Sequence, residues 1–412
     1  MTATGLFYLI IGILTANFLL DLILSRLNAS RYSHPAPDSL SDLFDEVEYK
    51  KSQQYKKVTH RFGLISGGIS FAATLVFFFL DGFAWVDRIA RSWSNNEIII
   101  ALIFFGIILL ASSILSLPFS YYRTFVIEEQ FGFNKTTRKT FVLDKIKGGL
   151  LGIIIGGGLL SAIIWIYQQT GDQFWWYAWL VITAFSVLMN FFYTRLIVPL
   201  FNKQSPLPEG TLKEHLESYA KKVGFTLSKI VVINGSKRST RANAYFSGFG
   251  ARKQVTLYDT LLDDLNEEEV VAVLAHEIGH YKKKHIPINL FMGIATTGLT
   301  LFIFSLLIDN PLLSEALGVE IPSFHLGLIA FGILYTPLSE ITGLLMNWIS
   351  RKFEFQADAY AAGTYKASPL ISGLKKLAKN NLSNLTPHPA YVFVHYSHPP
   401  LDQRINALKL QG

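Results

Sequence analysis

The sequence predicts a mainly α-helical, polytopic membrane protein with seven transmembrane helices and a smaller α+β domain on the cytosolic side. Three observations predict it. Half of the 412 residues are apolar and only 16% are charged. Apolar stretches long enough to cross a hydrocarbon core recur along the chain. Lys and Arg collect on alternate loops between those stretches.

A membrane span needs roughly 17–25 apolar residues, and candidates lie at 5–24, 63–80, 98–119, 149–167, 174–196, 287–308 and 324–349. The first has no basic side chain ahead of it and ends at Arg26 without a small-residue cleavage signature. It reads as a retained span, not a signal peptide.

The loops set the orientation. Loop one carries Arg26, Arg31, Lys50, Lys51, Lys56, Lys57 and Arg61, and loop three carries Arg123, Lys135, Arg138, Lys139, Lys145 and Lys147. The fifth loop and the tail after residue 349 are also basic, whereas loop two has only Arg88 and Arg91 and loops four and six have neither Lys nor Arg. An odd number of spans with this alternation puts the N-terminus outside and the C-terminus in the cytosol. The net charge of +7 is this loop bias, and no nucleic-acid partner is expected. The chain has no cysteine, which excludes a disulfide framework, a thiol nucleophile and a cysteine-ligated metal.

Four regions follow: 1–200 with spans one to five and cytosolic loops 25–62 and 120–148, a cytosolic part at 201–286, spans six and seven at 287–349, and a cytosolic C-terminal part at 350–412. Within 201–286, residues 210–223 have helical spacing and 229–234 (KIVVIN) read as a strand. Residues 243–246 and 254–257 flank a glycine-containing turn at 247–253 and predict a hairpin. Asn266 is placed to cap a helix whose first turn is acidic, running through 270–285.

That helix contains His276-Glu277-Ile278-Gly279-His280. Two histidines four apart share a helical face and can bind one Zn2+, while the glutamate between them can polarise a water on the ion. In the longer signature of this type a Gly and a His would occupy 283 and 286, but Lys283 and Ile286 stand there. His285 sits on another face and reads as solvated or interfacial. The third ligand is expected from the helix after the last span, where Glu354 and Asp358 are four apart. Glu354 would complete the sphere, and Asp358 would accept from the second ring nitrogen of a ligand histidine. A single Zn2+ per chain with an open position points to hydrolysis. A seven-span transporter or chaperone with a structural zinc is the alternative, disfavoured because structural sites are usually closed by four protein ligands. A metal inside the bilayer is disfavoured by Glu267–Glu269 and Lys282–Lys284 flanking the motif.

Several separate segments extend the pattern: Ile127-Glu128-Glu129-Gln130-Phe131-Gly132-Phe133-Asn134, Pro199-Leu200-Phe201-Asn202, Gly235-Ser236-Lys237-Arg238-Ser239, Asn243-Ala244-Tyr245-Phe246, residues 350–358, and Tyr396-Ser397-His398-Pro399-Pro400 with Arg404. With the metal motif and seven spans, the chain resembles the CAAX prenyl protease type I family of membrane zinc metallopeptidases. The resemblance implies seven helices around a water-filled chamber, capped by a zincin-like α+β metallopeptidase domain. Asn17, Asp21, Asn190 and Glu340, polar residues within or beside spans, fit such an interior. It implies catalytic roles for Glu277, His398 and Arg404, the last two facing the scissile carbonyl. It implies that the substrate backbone lies along Asn243, Ala244 and Tyr245 as an added strand. His388 and His395 match nothing comparable. Thr240-Arg241-Ala242 stand where a His-Ser pair would be expected, a departure beside the substrate contact. The expected partners are a peptide or protein substrate, prenylated or not, and the lipid bilayer, with the chain acting as a monomer. Without a C-terminal retrieval signal, the expected location is a bacterial plasma (inner) membrane, the endoplasmic reticulum being the alternative.

Overall fold

The computed structural model describes residues 1–247 and 254–411, so most of the turn expected at 247–253 lies outside the described residues. The membrane helices begin at local caps. In α1 (Ala3–Ser30) the Thr2 hydroxyl accepts from the Gly5 N–H, and α2 (Glu46–Phe79) opens on a reciprocal capping box between Asp45 and Glu48. A short α3 (Gly82–Trp93), not foreseen, leads into α4 (Glu97–Tyr122), which runs on through a π-helical turn at Arg123–Glu128. The next helices are α5 (Arg138–Leu151), α6 (Gly157–Thr170), α7 (Phe174–Leu196) and the single turn α8 (Val198–Phe201). A second π-helical turn, Gly152–Gly156, joins α5 to α6.

By length and composition five segments qualify as spans, or six when Phe324–Leu334 and Thr336–Thr364 count as one. One of the five, Arg138–Phe201, has 64 residues and as a straight helix would be about 96 Å long. That is three times a hydrocarbon core of roughly 30 Å. It is not straight: Gly171, at φ 52°, turns the chain within Gly171–Gln173, and α7 packs back on α6. Counted as two crossings on that ground, it would bring the six to the seven expected from the sequence.

Those helices pack sparsely. Only 0–17% of the most apolar stretch of each candidate span is buried, so little of each helix is covered by its neighbours. Asp21, Asn190 and Glu340 are likewise exposed, and a charge against lipid is costly. The spans stand as staves with little contact between them, and these polar side chains are the ones that the chamber expected from the sequence would take in.

The fifth loop folds as β1 (Gln204–Pro206), α9 (Thr211–Lys222), β2 (Lys229–Ile233), β3 (Ala244–Ser247), β4 (Gln254–Tyr258), α10 (Asp259–Asp264) and α11 (Glu267–Lys282). The sheet order is β1-β2-β4-β3, with β2 parallel to β4 and both outer strands antiparallel to their neighbours. The predicted hairpin is thus β3–β4, and β3 is an edge strand. One sheet face, through Val255 and Leu257, packs on Val270, Leu274 and Ile278 of α11 and on Leu216 of α9.

The chain then re-enters the membrane as α12 (His285–Ser305), passes the short α13 (Leu312–Glu315), and continues as α14 (Phe324–Leu334) and α15 (Thr336–Thr364). The last predicted span is therefore two helices meeting at a 55° bend, with Pro337 in the first turn of the second. A proline there costs no helical hydrogen bond, which is why the break is tolerated. The tail forms α16 (Ala367–Asn380), α17 (Pro389–His395) and α18 (Leu401–Lys409).

Four of the sequence segments singled out above meet beneath the sheet. Arg238 makes paired bonds to Asp144 (2.7 and 2.8 Å) and donates to Asn202. Arg241 pairs with Glu128 at 2.9 Å, bonds Tyr55, and lies over the Phe133 ring. Asn134 bridges to Ser239. These contacts bolt the sheet, and the loop leading into β3, onto α2, α5 and the end of α4.

Candidate metal centre

Asn266 starts α11 as expected, its side chain accepting from the Glu269 N–H while Glu269 accepts from the Asn266 N–H. Two turns on, His276 and His280 converge, with their Nε2 atoms 3.1 Å apart. α15 packs directly against this stretch. A Cβ at Gly279 would come within 3.0 Å of the Ala357 backbone, so only glycine lets the two helices approach this closely. That approach delivers Glu354, whose Oε2 is 3.5 Å from His276 Nε2 and whose Oε1 is 3.4 Å from His280 Nε2.

These separations test the fit of an ion. A tetrahedral ion with bonds of about 2.0–2.1 Å holds its ligand atoms about 3.3–3.4 Å apart. The three donors stand at 3.1, 3.4 and 3.5 Å. Glu354 is 4% exposed, and its Oε2 is buried without a hydrogen-bond partner among the described residues. Among those residues, His276, His280 and Glu354 are also the one group with metal-binding geometry.

Behind the ligands, Asp358 Oδ1 lies 2.9 Å from His276 Nδ1. A carboxylate can only accept, so Nδ1–H donates and Nε2 keeps its lone pair for a cation. With no cation present, burial opposes a charge on His276, but the bonds to Asp358 and Glu354 prevail and push its pKa up to about 9.

Arg404 differs from expectation. Its Nε and Nη2 are paired with Asp358 at 2.8 and 2.7 Å, and its Nη1 is 3.3 Å from Glu354 Oε2. Two carboxylates one turn apart on α15 are what a guanidinium fork spans. Arg404 is therefore buried and engaged by both carboxylates.

His398 is on the open side. Its side chain is 63% exposed and its Nε2 lies 3.3 Å from Glu354 Oε1. Ser397 Oγ is 3.0 Å from its Nδ1. The protein packed around its inner side partly desolvates the ring and holds its pKa below the usual histidine value, against the pull of the Glu354 carboxylate. α15 fixes this loop as well: Asn347 donates to the Val394 carbonyl, and Arg351 to those of Val392 and Tyr396. Glu277 is part-exposed and makes no hydrogen bond among the described residues, and burial raises its pKa above the glutamate value.

His285 corrects the sequence reading. It is 1% exposed, not solvated, with Nδ1 3.0 Å from His280 Nδ1 and Nε2 2.9 Å from Gln356 Oε1. No sequence spacing indicated this, because Gln356 lies on α15. His388 caps α17 by accepting from the Ala390 N–H, and His395 lies 3.8 Å from Asp21. Asn243, just ahead of β3, is exposed, and its Oδ1 accepts from the Ala244 N–H. With Ala244 and Tyr245 it lies along the unpaired edge of the sheet, alongside α11.

A family model described as "CAAX prenyl protease N-terminal, five membrane helices" matches residues 25–203, and that of peptidase family M48 matches residues 206–411. The CAAX prenyl protease 1 homolog of Arabidopsis thaliana is 37% identical over 90% of each chain. The homolog of Homo sapiens is 35% identical, covering 90% of this chain and 88% of its own. The crystal structure of S. mikatae Ste24p matches with a TM-score of 0.94 at 33% identity, over 98% of this chain and 99% of that one.

Proposed function

The chain belongs to peptidase family M48 as a multi-pass membrane metallopeptidase, and from that premise we propose a zinc endopeptidase that trims CAAX-type C-termini from its cytosolic face. One observation carries this reading: three donor atoms at tetrahedral spacing, with an unbonded glutamate beside them. His276, His280 and Glu354 would hold one Zn2+ per chain, and all three come from the same polypeptide, so a monomer suffices. When bound, zinc polarises the scissile carbonyl and lowers the pKa of a coordinated water to about 7.

The remaining steps belong to the protein. Glu277 takes the proton of the attacking water and returns it to the departing amine. His398 is neutral at pH 7, and with Ser397 on Nδ1 it presents Nε2–H to the developing oxyanion, a donation often worth about 3 kcal/mol. Arg404 neutralises Asp358 and braces Glu354, so its role is to position the ligands. The peptide joins the free edge of β3 as a further strand along Asn243, Ala244 and Tyr245. The name of the matched relatives points to a prenylated substrate, and the sparse packing of the spans leaves room for an apolar chain inside.

Purified wild-type and Glu277→Ala protein incubated with prenylated and unprenylated peptides, with cut sites read by mass spectrometry, tests the proposal. Wild-type protein should cut the prenylated peptide near its C-terminus and the variant should not. Cleavage by the variant at the wild-type rate would refute it.

A further inference from the structure

The two ligand histidines are held in different ways. His276 leans on a charged pair, Asp358 with Arg404, whereas His280 leans on a neutral chain of His285 and Gln356. We propose that His285 and Gln356 are positioning residues that set the ring orientation and tautomer of His280, so that its Nε2 lone pair faces the metal. The proposal rests on the metal reading above.

Proton bookkeeping along the chain leaves one arrangement. Gln356 Oε1 can only accept, so the 2.9 Å contact places a hydrogen on His285 Nε2. A neutral His285 then has a lone pair on Nδ1. That atom is 3.0 Å from His280 Nδ1, which must therefore donate. His280 is left with its lone pair on Nε2, the atom 3.4 Å from Glu354 Oε1. The geometry of the chain is fixed by packing. The His285 ring stacks on Phe353, with centroids 4.0 Å apart and planes 8° from parallel, and Phe353 precedes Glu354 on α15. One helix thus supplies a ligand, the acceptor behind one imidazole and the end of the chain behind the other.

The test uses full-length protein in detergent, freed of metal, with zinc affinity measured by chelator competition and the ligand field read from the visible bands of added Co2+. Wild-type protein should bind one zinc. His285→Leu and Gln356→Leu should weaken zinc binding by roughly 10–100-fold, the range for loss of such partners, and shift the cobalt bands. His285→Asn, whose Oδ1 can accept where Nδ1 did, should recover most of the affinity. Gln356→Glu should keep it, because a carboxylate accepts the same bond. Gln356 is itself exposed, so neither substitution there empties a core or buries a charge, and a loss confined to Gln356→Leu reads out the missing acceptor. Should His285→Leu fail to fold, Gln356→Leu decides. Wild-type affinity and an unshifted cobalt spectrum in the leucine variants would overturn the proposal while leaving the metal centre intact. A wild-type protein that binds no zinc would overturn both.

Discussion

At Glu277 two requirements meet: a general base must be ionised, yet basic enough to take a proton from water. Burial raises its pKa above the usual glutamate value, which serves the second requirement at the expense of the first. Activity is therefore lost as the pH falls through that raised value. A pH–rate profile of kcat/KM should show its acid limb above pH 4.5, the ordinary value. His276 makes a separate prediction. In the metal-free protein its pKa is pushed up to about 9, so at pH 7 a cation must displace a proton. Zinc added to metal-free protein in weak buffer should release protons, and affinity should weaken as the pH is lowered. Replacing Glu354 by Ala removes a ligand and its charge, and elemental analysis should find the zinc gone. At this scale the sequence was informative where chemistry is local. His276, Glu277 and His280 share one stretch of α11, and Glu354 with Asp358 share one turn of α15. His285 was misread because a lone histidine carries no sign of a partner 71 residues away. Arg404 was recognised, but which way its fork would face depended on packing.

Helix against helix, the decisive contact is Gly279 of α11 on Ala357 of α15. A methyl group there would sit 3.0 Å from backbone atoms, which cannot rotate aside. Gly279→Ala should push the helices apart by a few tenths of an ångström and open the distance from Glu354 to both imidazoles. The expected result is weaker zinc binding and lower kcat/KM with helix content unchanged by circular dichroism, and wild-type zinc affinity would show that the contact yields freely. On the other flank of α15, Arg351→Met should free the carbonyls that steady the His398 loop. Turnover should fall with zinc content unaltered. Periodicity and caps made α9, α11, β2 and the β3–β4 pair legible in the sequence. It gave no hint of β1, nor that β2 would run parallel beside β4, since a three-residue edge strand has no period and strand partners are chosen by tertiary packing. The bend after Leu334 was hidden for a related reason: apolar composition continues through it.

For the whole molecule, the charge asymmetry of the loops predicts a topology that the absence of cysteine makes simple to measure. Glu320 is exposed in the sixth loop and Lys283 at the end of α11. In sealed membrane vesicles with their cytosolic face outward, Lys283→Cys should react with a membrane-impermeant maleimide, and Glu320→Cys only after permeabilisation. The reverse pattern would invert the orientation. Seven apolar stretches and the loop charges carried the helical membrane architecture, while the loose packing of the spans became visible only in three dimensions, because an apolar helix has the same composition whether or not neighbours cover it. The bend ahead of α15 has a mechanical consequence. From Thr336 to Glu354 the helix is a rod of about 27 Å at 1.5 Å per residue. A swing of about one degree at its base would carry the carboxylate sideways by roughly 0.5 Å, close to the tolerance of a working metal site. Changes in bilayer thickness, or a bulky guest lodged between the staves, would thus reach the reaction centre as leverage, and the Arg404 fork on Asp358 is the stay that keeps the boom from swinging.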